Sequence, residues 1–174
     1  MKLRTRRKFL KGLLLSGLGA TTTKVLGNSS IRECSKGKLP FLKKFDICVV
    51  GGSCTGVFAA VKAARLGASV AIIEKQNAFG GVATNGLVNI WHSLYNTEKN
   101  KQIIAGLTYE VIERLAKRDA IIYGREDRRS HFTLNTQELK IELDELIFES
   151  KITPYFHTLF SEPYFDSNGN LEGV

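Results

Sequence analysis

Apolar positions change their period several times along the chain, and each change marks an element. From Phe45 to Val50 they run almost unbroken (Phe45, Ile47, Cys48, Val49, Val50), which suits a strand buried on both faces of a parallel sheet. A glycine-bearing turn follows, Gly51-Gly52-Ser53-Cys54-Thr55-Gly56. An Ala-rich helical stretch then spans Val57 to Leu66, and Gly67 stops it. A second apolar run, Ser69 to Ile73, ends on Glu74. Lys75 to Asn89 is glycine-rich and shows no helical period, so it reads as a loop. From Gln102 to Arg118, Ile103, Ile104, Leu107, Val111, Ile112 and Leu115 recur at three- and four-residue spacing, predicting an amphipathic packing helix. Asn135 followed by Glu138 predicts a capped start for the next helix, which runs to about Ser150 with Leu139, Leu143, Leu146 and Ile147 inward. A strand is expected over Tyr155 to Phe160. Tyr164 to Asp166 and Leu171 to Val174 flank Ser167-Asn168-Gly169-Asn170, and Asn-Gly between apolar runs predicts a β-hairpin.

The order strand, turn, helix, strand, acid is the first half of a dinucleotide-binding βαβ unit. Gly51 lets the chain turn out of the first strand, and Gly56 with Ala60 lets the helix lie close on the sheet. The helix N-terminus directs free N–H groups and partial positive charge at the space above the turn, where a pyrophosphate fits. Glu74, ending the second strand, can accept from ribose hydroxyls and disfavours a 2′-phosphate. Ser53 stands where a glycine is usual. Its Cβ hinders backbone approach to the pyrophosphate, while its hydroxyl can donate to a phosphate oxygen. The expected architecture is an α/β, Rossmann-like FAD/NAD(P)-binding three-layer unit, incomplete, ending in a β-hairpin.

The spacing of Gly51, Ser53, Gly56, Ala60, Gly67, Val70 and Glu74 resembles the extended FAD-binding motif of glutathione-reductase-type flavoproteins. The continuation Phe79-Gly80-Gly81-Val82-Ala83-Thr84-Asn85-Gly86 is similar to the FAD-dependent oxidoreductase family that includes the heterodisulfide-reductase-like flavoproteins. The resemblance implies FAD as cofactor. It places Gly51, Gly52, Ser53 and Gly56 under the pyrophosphate, with Glu74 and Lys75 at the ribose. Gly80, Gly81 and Thr84 then run beneath the middle of the cofactor. It makes residues 45–174 the amino-terminal part of an FAD-binding domain, truncated relative to the family. Two other readings stay open: an NAD-binding dehydrogenase module, and a non-catalytic remnant of a flavoprotein. Some relatives carry iron–sulfur clusters, but the cysteine spacing here would not hold one, and no metal site is expected.

Charge alters the picture. The net charge of +8 would suggest nucleic acid or an anionic surface, but residues 1–44 carry +11 and the remainder −3. The basicity is a tail, and a nucleic-acid partner for the folded part is not expected. Within that tail, Thr5-Arg6-Arg7-Lys8-Phe9-Leu10-Lys11 looks like a twin-arginine export signal. The apolar stretch Gly12 to Ala20 behind it is too short to span a bilayer, which takes about 20 apolar residues. Residues 1–27 therefore read as a signal peptide and 28–44 as a linker. The export machinery is an expected partner, the location extracytoplasmic, and no permanent membrane span is expected.

Single residues add little chemistry. Cys34, Cys48 and Cys54 are too few for a disulfide framework. Cys48 reads as a small buried residue, and Cys54 lacks a partner thiol at Cys-x-x-Cys spacing. In the relatives, Asn89 to Tyr95 leads from the flavin toward the substrate. His92 is the candidate there for proton exchange with a small-molecule substrate, against a reading in which Trp91 packs and His92 caps a loop. Arg125, Arg128 and Arg129 suit either an acidic substrate or a solvated face.

Overall fold

The computed structural model describes residues 43–125 and 127–174. The signal peptide and nearly all of the linker lie outside the described residues. The unit formed by Leu42–Val174 is described by itself below.

Strand β1 (Ile47–Val50), helix α1 (Cys54–Arg65) and strand β2 (Val70–Ile73) form the expected βαβ unit. β2 lies in the middle of a parallel sheet of order β1-β2-β6, with β6 at Thr153–Tyr155. The register pairs Val50 with Ile73 and Ile73 with Tyr155, so the carboxyl ends of all three strands align. Asp46 anchors the opposite end. Its carboxylate accepts from Ser69 N (2.8 Å) and Ser69 Oγ (2.6 Å), fixing where β1 and β2 begin. α1 and α3 (Thr136–Glu149) pack together against this sheet. There Val57, Ala60 and Val61 share a core with Val70, Ile72, Leu139, Leu143, Leu146 and Ile147. Asn135 caps α3 as expected, its side chain accepting from Gln137 N and Glu138 N. α1 ends with Gly67 N donating to Ala64 O and Ala68 N to Ala63 O, the helix stop that Gly67 predicts.

Three expectations require correction. Cys48 is exposed, not buried: β1 pairs only with β2 among the described residues, and side chains on its far face meet solvent. The helix expected from Gln102 begins at Leu107 as α2 (Leu107–Lys117). Gly106 at φ 68° ends an extended segment in which Gln102 bridges Tyr95 and Ile103 N donates to Leu94 O, leaving Ile103 and Ile104 exposed. The last parallel strand is Thr153–Tyr155, starting two residues before and ending five before the expected Tyr155 to Phe160; its edge position tolerates Pro154.

A second sheet has no counterpart in the sequence reading. β3 (Ile90–His92), β4 (Ile121–Tyr123) and β5 (His131–Leu134) form an antiparallel sheet of order β3-β5-β4. Arg125, Arg128 and Arg129 lie between β4 and β5, where Gly124 N donates to His131 O. Tyr95, Trp91, Ile121, Tyr123 and Phe132 lie on the side packed against the core. Finally, β7 (Tyr164–Phe165) and β8 (Leu171–Gly173) form the expected hairpin. Asp166 organises its loop by accepting from Asn168 N and Asn170 N, with Gly169 at φ 82°.

Charge ties the helices together. Arg65 of α1 grips Glu110 of α2 through both terminal nitrogens (2.7 and 2.8 Å). Arg114 of α2 grips Glu149 of α3 (2.9 and 2.6 Å). Arg118 reaches Glu142 and Glu145 of α3. Among the described residues no helix is long and apolar enough to cross a membrane.

Candidate dinucleotide-binding site

The glycine turn lies where the carboxyl ends of β1, β2 and β6 meet. Ser53 is the N-cap of α1, and its hydroxyl accepts from Gly56 N at 3.3 Å. That bond uses a lone pair, so the exposed hydroxyl keeps its proton for a ligand. Cys54 N and Thr55 N, in the first turn of α1, have no intrahelical partner, and the positive end of the helix faces the same space. A Cβ at Gly56 would overlap the Gly51 carbonyl oxygen, so glycine alone permits this helix-to-turn contact.

Glu74 joins the turn to the following loop. It is 8% exposed. One carboxylate oxygen accepts from Gly52 N (2.7 Å) and the other from Gln76 N (2.8 Å). Each oxygen has a second lone pair, which leaves capacity for ribose hydroxyls. Its backbone is engaged too: Glu74 N donates to Tyr155 O, and Thr158 N donates to Glu74 O. Lys75, next in the chain, is exposed.

The Gly80-Gly81 loop returns to the turn. Gly80 N donates to Gly52 O (2.8 Å), and Ser53 and Gly80 form an isolated parallel bridge. Gly80 adopts φ 100°, a conformation that strains other residues. Thr84 is fully buried, and its hydroxyl donates to Phe79 O (2.6 Å), so its side chain holds the loop closed from beneath. Phe79, 1% exposed, packs against Phe156 with ring centroids 4.6 Å apart and planes tilted by 44°, and lies against Gly52. Phe79 entered the sequence reading only as the start of the Phe79-Gly80-Gly81 segment, without a role, and Gln76 not at all. The apolar residue directly before Gly80-Gly81 was the available signal for the first.

Cys54 donates its thiol to Gly80 O (3.6 Å), and burial pushes its pKa up to about 11. It is a protonated thiol at neutral pH and a packing group in this turn. His92 is exposed on strand β3, not in a loop, and pairs across the sheet with His131, whose Nδ1 lies 3.0 Å from Ser130 Oγ. His131 was not among the sequence candidates. Among the described residues, no group of three or more His, Cys, Asp or Glu side chains converges as a metal site requires.

A glycine turn, an open helix N-terminus and an acid at the end of β2, all on the carboxyl edge of a parallel sheet, define a Rossmann-like dinucleotide-binding unit. Residues 46–174 match the FAD dependent oxidoreductase family, and the chain belongs to it. Family membership implies FAD as the dinucleotide. Among curated proteins, the dihydrolipoyl dehydrogenase of Trypanosoma brucei brucei is 30% identical over 97 residues, covering 49% of this chain and 20% of that protein. The soluble pyridine nucleotide transhydrogenase of Mycobacterium bovis (strain BCG / Pasteur 1173P2) is 34% identical over 85 residues, covering 46% and 18%. This chain thus aligns with about a fifth of each relative's length. The crystal structure of Thermovibrio ammonificans THI4 superposes with a TM-score of 0.50 at 17% identity, over 74% of this chain and 45% of that one, a likeness of fold.

Proposed function

We propose that residues 45–174 hold the adenosine diphosphate half of FAD, as the amino-terminal part of an oxidoreductase acting on a small molecule. The observation that carries this is the Glu74 carboxylate, clamped between Gly52 N and Gln76 N beside the open N-terminus of α1. Cys54 N, Thr55 N and the Ser53 hydroxyl would meet the pyrophosphate, and the spare lone pairs of Glu74 the ribose. Gly80 and Gly81 bring backbone close to the cofactor's middle without side chains between. FAD, when bound, supplies the redox chemistry, and the protein's part is to bind, orient and shield it. His92 is the proton-exchanging candidate on the substrate side. Within the family, the Gly-Gly and Ala-Thr-x-Gly segment favours the heterodisulfide-reductase-like branch. The twin-arginine-like tail supports export, with the domain delivered outside the cytoplasm. That route suits a protein folded around its cofactor before transport.

The test is cofactor retention. The 174-residue chain is incubated with FAD or with NAD and passed through gel filtration. FAD should co-elute, giving a flavin absorbance band in the visible blue, while NAD separates. Retention of NAD in place of FAD supports the dehydrogenase reading. Protein that stays colourless after incubation with FAD refutes FAD binding by this chain and favours the remnant reading.

A further inference from the structure

Between α2 and the antiparallel sheet lies a cleft of about 420 Å³ that shares no residue with the glycine turn. Its floor is apolar, built from Leu94, Ile112, Ala116 and Phe132. Tyr95, Tyr109 and Tyr123 ring it with phenols. Two guanidinium groups close it. Arg128 lies over the Tyr123 ring, 4.3 Å from its centroid, and Arg129 over the Tyr95 ring at 5.3 Å. A guanidinium that rests its face on an aromatic ring still presents its N–H edge, and that edge matches a carboxylate.

The turn carrying both arginines is braced. Asp127 Oδ1 accepts from Arg129 N (2.8 Å), and Ser130 donates to Asp127 O through N and Oγ. Lys99 Nζ pairs with Asp127 Oδ2 at 3.0 Å, and Arg129 Nη1 donates to Lys99 O at 2.9 Å. Solvated charges need neither the stacking nor the bracing. Among the described charged residues lining the cleft, Arg128, Arg129 and Lys117 outweigh Glu113, and this balance is complementary to an anion.

We propose that this cleft binds a small carboxylate with a planar apolar body. The carboxylate lies on the N–H edges of Arg128 and Arg129, and the body rests on the apolar floor among the three tyrosines. The site is separate from the FAD site and does not depend on FAD binding.

The test titrates 2-naphthoate into the 174-residue chain, read by the probe's own fluorescence anisotropy and by calorimetry, with neutral 2-naphthylmethanol as the matched control. Saturable single-site binding of the naphthoate is expected, with the alcohol at least about tenfold weaker. R128Q and R129Q should each weaken naphthoate binding about tenfold with little change in thermal midpoint. Both residues are exposed, so each change should cost little stability even though R129Q removes the bond to Lys99 O. R129K, which keeps the charge but loses the flat stacked fork, should fall between wild type and R129Q. Equal binding of acid and alcohol, equal binding by R128Q, R129Q and wild type, or no saturable binding at millimolar probe each overturns the proposal.

Discussion

Gly52→Ala tests how the glycine turn is built. Gly52 has no positive φ, so alanine fits the backbone. On that ground alone the change should stabilise the chain by about 0.4–1 kcal/mol, by restricting the unfolded state. The packing says the opposite. A Cβ at Gly52 would lie 2.5 Å from Phe79 Cδ1, 2.9 Å from Phe79 Cε1 and 3.1 Å from Glu74 Cβ. Carbon atoms rest at ~3.5–4.0 Å, so the ring must retreat by ~1 Å. Phe79 is 1% exposed and backed by Phe156, which leaves it nowhere to go. Overpacking of this kind costs ~1–3 kcal/mol, for a net loss of ~1–2 kcal/mol. Urea denaturation of wild type, G52A, F79L and G52A/F79L measures it as a double-mutant cycle. F79L alone leaves a void and costs ~1–2 kcal/mol. In the double mutant the added methyl enters that void, so G52A should cost less than about 0.5 kcal/mol on the F79L background. The reasoning fails if G52A is as stable as wild type, or if the two costs simply add.

Glu142→Gln should destabilise the chain by about 2 kcal/mol in the same assay, because a carboxylate with 3% side-chain exposure lies between Arg118 and Arg114. Acid should loosen the helix layer. Arg65 holds the Glu110 carboxyl below its ordinary 4.5, and Arg114 does the same for Glu149. Carboxylates depressed in the folded state contribute stability above their unfolded pKa and lose it as pH falls through the folded value. The urea midpoint should therefore hold near pH 6 and drop below about pH 4, less steeply at high salt. Disulfide-exchange labelling at about pH 8, mapped by mass spectrometry, should modify exposed Cys48 before Cys54, although partial burial raises the Cys48 pKa. Cys54, with its pKa pushed up to about 11, should react only in denaturant. Fast labelling of native Cys54 would contradict its packing role.

The parts legible in sequence were those dictated by local rules. The βαβ order, the Gly67 stop, the Asn135 cap and the Asn168-Gly169 hairpin each rest on a few adjacent residues, and each is present. The antiparallel sheet was not legible. Its strands have three or four residues and draw their inward faces from Trp91, Ile121 and Phe132, too short a run for alternation to register. The early start given to α2 came from Ile103 and Ile104, which kept helical spacing while lying on an extended segment before Gly106. In the candidate site, the glycines and Glu74 were visible because their spacing is fixed relative to one another. The partners of Glu74 were not, because Gly52 N and Gln76 N are backbone groups that leave no trace in residue identity.

Glu74 therefore serves two masters. Its main chain ties β2 to Tyr155 and Thr158, and its carboxylate holds the turn after β1, so one residue links three chain segments at the sheet's end. These bonds set the turn's shape on folding, so a nucleotide bound there would meet it with little ordering left to do. By mass action, any dinucleotide that engages Glu74 must stabilise the sheet it ends. Heat resistance and cofactor occupancy then become one measurement: the melting midpoint should rise with the concentration of the dinucleotide that fits and stay flat with the one that does not.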